Sequence, residues 1–239
     1  MDPARIAALL QPFLGPANDQ RLTTNDLNNI STYIDILLHW NARINLTAIR
    51  DPEDIVPRHF GESLFAARCL FPNRFSFQTN GEGHGLSRAE GGQEGLGALA
   101  PEVPTVADLG SGAGFPGLPL KLWAPHIALT LIESNHKKAA FLREVVRALT
   151  LTNVDIQNTR VESLAGTTFD LVTLRAVESF ESILPTAASL VAPAGRLALL
   201  IGSAQIPQAQ SILPTLSWSS PVPIPQSRNR VLFVATVRP

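Results

Sequence analysis

Cysteine is almost missing from this chain: Cys69 is the only one in 239 residues, which excludes an intramolecular disulfide and a thiolate metal cluster and leaves packing as its expected role. No apolar run approaches the ~18 residues of a membrane span. The N-terminus lacks a basic-then-apolar export pattern, so the expectation is a cytoplasmic chain with no membrane partner and no metal. Acid is missing too: no Asp or Glu follows Glu181, and the stretch from Ser182 to Pro239 carries Arg196, Arg228, Arg230 and Arg238. A net charge of −1 therefore conceals an acid-free, basic C-terminal quarter, which suits an anionic partner. Residues 72–105 hold seven of the 16 glycines and no apolar period. Such a segment cannot repay its ordering entropy and reads as a flexible insertion.

What is present centres on Asp108-Leu109-Gly110-Ser111-Gly112-Ala113-Gly114-Phe115-Pro116-Gly117, after an apolar run from Val103 to Ala107. A strand ending in alternate glycines lets something approach the backbone closely. Glu133 closes the next apolar run, Ile127 to Ile132. In a right-handed βαβ unit both strand ends face one crevice, where a carboxylate can accept two ribose hydroxyls. The glycines fit two registers. Read from Gly112 they give the dinucleotide pattern G-x-G-x-x-G. Read from Gly110 they give G-x-G-x-G directly after the strand, the S-adenosylmethionine (SAM) arrangement. Pro116 and Pro119 delay the helix that a pyrophosphate would need, which favours SAM.

Before the loop the pattern is helical. Leu27, Ile30, Ile34, Leu37, Leu38 and Ile44 recur at helical spacing behind a cap at Thr24 or Asn25. Asp51-Pro52 starts another helix that Pro57 should break before a second piece through Cys69. From Thr105 onward, strands expected at 105–109, 127–133, 153–158, 169–175 and 196–202 alternate with helices at 116–124, 135–149, 178–192 and 205–213, the pattern of a parallel sheet covered on both faces. Proline crowds 221–225, and the run 231–237 leaves no room for a helix, so the last two strands should form an antiparallel edge. The expected organisation is a helical cap (1–71), an insertion (72–104) and an α/β core (105–239).

With these residues placed, the chain resembles the glucose-inhibited-division-B family, bacterial methyltransferases that modify guanine N7 in small-subunit (16S) ribosomal RNA. The resemblance rests on Trp40-Asn41, Asn45-Leu46-Thr47, Asp51-Pro52, Arg58-His59 with Ser63, the glycine loop, Lys137-Lys138, Phe141-Leu142-Arg143, Arg160-Val161-Glu162, Phe169-Asp170 and Arg175-Ala176. It implies a class I SAM-dependent methyltransferase: a Rossmann-like, seven-stranded, mostly parallel sheet with an antiparallel last strand and an N-terminal helical cap. It also implies SAM contacts from Gly110, Gly112, Phe115, Glu133, Val161, Glu162 and Arg175, catalytic roles for Arg175, Asn45 and His59, and RNA contacts from Arg58, Arg160, Arg228 and Arg230. The partner so implied is 16S ribosomal RNA or the small subunit, met by a monomer. One departure stands out. The family has Lys-Gly after strand five, and this chain has Ile201-Gly202, so a cation is missing beside the substrate.

The residues limit the chemistry as well. Strand four ends Leu174-Arg175-Ala176 without an Asn-Pro-Pro-aromatic set for an exocyclic amine, and there is no Pro-Cys pair for covalent attack on a pyrimidine. Guanine N7 has a free lone pair and needs no general base, so positioning and electrostatics suffice. A small-molecule methyltransferase, a non-catalytic ribosome-binding relative and, more distantly, a nicotinamide oxidoreductase remain alternatives on this footing.

Overall fold

The computed structural model describes residues 1–15, 22–74, 103–175 and 180–238. Most of the expected insertion, Ala176 and the start of the helix expected at 178 lie outside them.

Helices α1 (Pro3–Leu14), α2 (Thr24–Asn41), α3 (Pro52–Ile55) and α4 (Glu62–Leu70) form the cap. Helix α1 went unread in the sequence. Helix α2 is capped by Thr23 rather than by Thr24 or Asn25: Thr23 Oγ1 accepts from Asp26 N at 3.1 Å and Asp26 Oδ2 accepts from Thr23 N at 2.6 Å, a reciprocal box. Pro57 does not break the chain between α3 and α4. Residues Val56–Gly61 run on as a π-helix, in which Glu62 N–H reaches back to Pro57 O. The widened turn accommodates a proline that cannot donate to the usual i−4 carbonyl. Ser63 Oγ donates to His59 O at 2.6 Å, satisfying a carbonyl in the same stretch. Cys69 is exposed and does not pack, because α4 turns Leu64–Ala67 and Leu70 inward instead.

The core strands are β1 (Thr105–Leu109), β2 (Ala128–Ile132), β3 (Val154–Gln157), β4 (Phe169–Arg175), β5 (Val191–Gly202), β6 (Ser217–Trp218), β7 (Val222–Pro223) and β8 (Arg230–Thr236). Between them run α5 (Gly117–Trp123), α6 (His136–Ala148), α7 (Phe180–Ser189) and α8 (Ile206–Ile212). The sheet order is β3-β2-β1-β4-β5-β8-β6, with β7 also paired to β8. Strands β1 to β5 are parallel, and β8 is antiparallel to β5. Short β6 and β7 share the last position, so eight strands fill the seven-stranded plan. The last two strands, β7 and β8, pair antiparallel at this end of the sheet as expected, with β8 lying between β5 and the two short strands. Val231, Leu232, Phe233 and Ala235 are all buried, because an apolar cluster covers each face of the strand. The edge falls to the two-residue strands, whose shortness limits unwanted pairing. Strand β5 also starts at Val191 rather than 196, across an irregularity opposite Phe169 and Leu171.

Apolar side chains form one cluster on each face of the sheet. One joins the cap to β1, β2, α5 and α6 through Phe13, Tyr33, Phe60, Trp123 and Phe141. The other lies between the sheet and α7 and α8. The cap is thus fused to the core over the face that carries the glycine loop. Arg74, at the head of the expected insertion, belongs to that fusion: it is 2% exposed, pairs with Asp26 and donates to Trp123 O at 3.0 Å.

Candidate functional site

The turn after β1 is held from below by Asp108. This carboxylate is fully buried and accepts from Gly117 N at 3.2 Å and Thr173 Oγ1 at 2.8 Å. Burial pushes its pKa up to about 6, more than the bonds from Thr173, Gly117 and Ser111 bring it down. Ser111 ties the turn to β2, donating to Asp108 O at 2.8 Å and accepting from Ile132 N at 3.1 Å. These supports leave the crest of the loop open. Gly112 sits at φ +56° with only Gly110 O within 4 Å of where a Cβ would stand, so a ligand can approach its backbone. Gly114, at φ +83°, is crowded instead: a Cβ there would strike the Tyr33 hydroxyl and Leu118 Cδ1.

Glu133 stands at the end of β2 as the sequence places it, only 7% exposed. Its Oε2 accepts from Gly112 N at 2.9 Å and its Oε1 from Asn135 N at 2.7 Å. Asn158 buttresses the same corner by donating to Glu133 O at 2.8 Å. The carboxylate is thereby oriented beside the glycine loop, with lone pairs remaining for two hydroxyls. Loop backbone at positive φ, an oriented acid and no side chain at the crest fit an adenosine-bearing cofactor. Val161 is buried where the 3₁₀ turn Val161–Leu164 begins after β3, Glu162 is exposed in it, and Arg160, its exposed N-cap, faces solvent.

The cap closes one side of the crevice through aromatic rings. Tyr33 donates to Ala113 O and stacks on Phe115, centroids 5.4 Å apart. The His59 ring lies against Phe115 at 4.8 Å, and Phe60 meets it edge-on at 5.1 Å. Tyr33 and Phe60 were absent from the residues read as functional, since an apolar helix face carries no sign of what it will touch.

Arg175, at the end of β4, reaches across to the cap. One terminal nitrogen, Nη2, donates to Arg58 O and to Glu62 Oε2 at 3.0 Å, and lies 3.3 Å from His59 Nδ1. The other ring nitrogen, Nε2, lies 2.7 Å from Thr47 Oγ1, a hydroxyl that can donate or accept. Burial first, then the nearby charges of Arg175, Arg58 and Arg230, lower the His59 pKa to about 3. Both nitrogens are engaged, so His59 holds Arg175 rather than offering a free base. Burial likewise brings the Arg175 pKa down to about 10, opposed by Glu62.

Arg230, expected to contact RNA, also belongs to this cluster. Its Nε lies 2.9 Å from the same Glu62 Oε2 and its Nη2 donates to Leu200 O at 3.3 Å. It stands opposite Gly202 in the β5–β8 register, on the strand paired with Ile201. Glu62 itself was missed. The acid-free C-terminal stretch is not one basic face, because Arg196 is turned inward onto Leu70 O; Arg228 and Arg238 are exposed. Arg58 is exposed as expected. Asn45 is exposed in the loop after α2, while the adjacent Asn41 ties that loop, accepting from Leu46 N and Thr47 N and donating to Thr47 O at 2.9 Å.

Among the described residues no group of three or more His, Cys, Asp or Glu could hold a metal ion, and no helix is long and apolar enough to cross a membrane.

The model of the GidB family, rRNA small subunit methyltransferase G, matches residues 26–86 and 96–213. Three similar relatives, from Xylella fastidiosa, Xanthomonas axonopodis and Chloroflexus aggregans, are all called Ribosomal RNA small subunit methyltransferase G. The first is 36% identical over 72% of this chain and 66% of its own length, just under two thirds. The second is 32% identical over 82% of this chain and 80% of its own, and the third 34% identical over 90% and 83%. With the cap, the β3-β2-β1-β4-β5-β8-β6 sheet and the loop-acid crevice arranged as above, the chain belongs to the rRNA small subunit methyltransferase G family and has its class I methyltransferase fold.

Proposed function

We propose that this protein transfers a methyl group from SAM to N7 of a guanine in 16S ribosomal RNA, acting in the cytoplasm as a monomer without a metal. The observation that carries the reading is the junction at Arg175, where the loop-and-acid crevice at β1 and β2 meets the cleft at the ends of β4 and β5. That cleft is lined by Leu174, Arg175, Phe180, Leu200, Ile201, Gly202, Gln205 and Arg230. Family membership and the relatives' names support the substrate class.

SAM, when bound, supplies an electrophilic methyl on a sulfonium. Gly110 and Gly112 admit it to the backbone, Glu133 accepts the ribose hydroxyls, and Val161 and Glu162 flank the adenine. Phe115 and Arg175, 6.0 Å from guanidinium carbon to ring centroid, separate this pocket from the acceptor's. Guanine N7 attacks with its own lone pair and loses no proton. The neutral, doubly engaged His59 and the buried Asp108 suit such a reaction, since neither is a free base. Catalysis is then positioning in a crevice that excludes water, with a fixed field from Arg175. Arg58, Arg160 and Arg228, all exposed, draw the RNA phosphates, and Asn45 sits at the cap edge of the acceptor side.

Incubation with methyl-labelled SAM and 16S RNA or small subunits, followed by mapping of the modified base, tests this. Label at guanine N7 is expected. Label on an exocyclic amine, on a ribose, or only on a small molecule would refute it.

A further inference from the structure

Two arginines share one buried carboxylate oxygen here. Arg175 Nη2 and Arg230 Nε lie 3.0 and 2.9 Å from Glu62 Oε2, and the Glu62 side chain is 4% exposed. The neighbouring imidazole, His59, is neutral, so the trio carries a net charge of +1 in a setting where burial already disfavours charge. The two guanidiniums differ in access. Arg175 is 9% exposed and Arg230 29%, so the excess charge reaches solvent through Arg230, at the cleft mouth opposite Gly202. Arg230 has Nη2 on Leu200 O and Nε 2.9 Å from Glu62 Oε2, an ion pair without hydrogen-bond geometry, and Nη1 has no partner among the described residues. A guanidinium held by one ion pair and one hydrogen bond, with a nitrogen left open, is partly preorganised to take an anion.

The anion's class follows from the location. The cleft is the acceptor side, and an RNA acceptor brings a phosphodiester with every base. We propose that Arg230, held in place by the Glu62 carboxylate it shares with Arg175, forms a phosphate subsite at the mouth of the β4–β5 cleft that grips the RNA backbone beside the acceptor base. Glu62 is a positioning residue in this arrangement: it aims Arg230 and cancels one of two positive charges close to a base that becomes cationic on N7 methylation. The subsite rests on the ribosomal RNA reading above and adds the contact that orients the acceptor.

The test compares wild type, R230Q and R230K in 16S RNA binding across a salt series, with SAM titration and methyl-transfer kinetics on the same preparations. Losing one phosphate contact lowers the slope of log K against log salt by roughly 0.7 to 0.9 and weakens binding by about tenfold. R230Q is expected to show both, with KM for RNA rising and SAM affinity within about twofold of wild type. R230K keeps a point charge without the fork, and is expected to restore the slope but not the full affinity. If R230Q is misfolded, the lysine variant carries the test through its retained slope and raised KM. An unchanged slope and KM in R230Q, or a fall in kcat alone, would overturn the subsite while leaving the ribosomal RNA reading in place. Absence of salt-dependent RNA binding by wild type would remove both.

Discussion

Replacing His59 with glutamine should change how stability responds to acid, with a sign and size set by the Arg175 cluster. The imidazole titrates near 6.5 in the unfolded chain and at about 3 in the folded one, because burial and three arginines disfavour its charge. A base with a depressed folded pKa contributes stability that is complete above pH 6.5 and is lost as pH falls from 6.5 towards 3. Linkage puts that loss at about 2 kcal/mol by pH 5, on the way to about 4 or 5 by pH 3. Asp108 works in the opposite direction. Its folded pKa of about 6 lies above the ordinary 3.8, so the folded state takes up a proton first and gains about 1.4 kcal/mol between pH 7.5 and 5. Wild type should therefore change little over this range, losing about 0.6 kcal/mol from the two groups together, whereas H59Q, free of the imidazole, should become more stable by about 1.4 kcal/mol. Glutamine keeps an acceptor for Arg175 and a donor for Thr47, which limits the loss at pH 7.5 to about 1 kcal/mol. Urea denaturation of both proteins at pH 7.5 and 5.0 measures the difference, and common contributions from other carboxylates cancel in the comparison. If wild type and H59Q shift in parallel, the ring is not held neutral by its burial beside the arginines, and the reading of His59 as a neutral prop is wrong.

Three further outcomes are expected. E133A should weaken SAM binding by roughly 1.5 to 3 kcal/mol through loss of charge-assisted hydrogen bonds, and G112V should abolish it by filling the open crest of the loop; calorimetric titration with wild-type affinity in both would remove these residues from the site. G114A places a methyl group against Tyr33 and Leu118 at a backbone angle alanine dislikes, so it should cost about 2 to 4 kcal/mol, and a thermal midpoint equal to wild type would show that the cap does not clamp the loop there. Replacing residues 76–102 with a short Gly-Ser link should leave stability within about 1 to 2 kcal/mol, whereas R74A, which strands Asp26 beside a broken buried pair, should cost about 3 to 5 kcal/mol; similar denaturant midpoints for the two would contradict the anchoring of Arg74.

Much of this protein follows from spacing in its sequence. The strand, the glycines and Glu133 are legible because backbone that must admit a ligand tolerates few residue types, and a βαβ unit of one hand brings two strand ends together whatever the side chains do. The α2 stripe and the Asp51-Pro52 start are local as well, since helix periodicity and caps act over a few residues. Tertiary structure decided the rest. Glu62, Arg175 and Arg230 lie more than 50 residues apart in sequence at their nearest, and each taken alone reads as an ordinary surface charge; only the crossing of the cap over the ends of β4, β5 and β8 puts two guanidiniums on one carboxylate and strips Glu62 and Arg175 of water. The same crossing tied Arg230 to Glu62, made His59 a neutral prop, and drew Arg196 and Arg74 inward. A run such as Val231 to Val237 announces a strand, but its place between β5 and the short edge strands depends on which apolar faces remain uncovered once the sheet has formed. Burial changes what a charged side chain does, and burial is a property of the assembled fold.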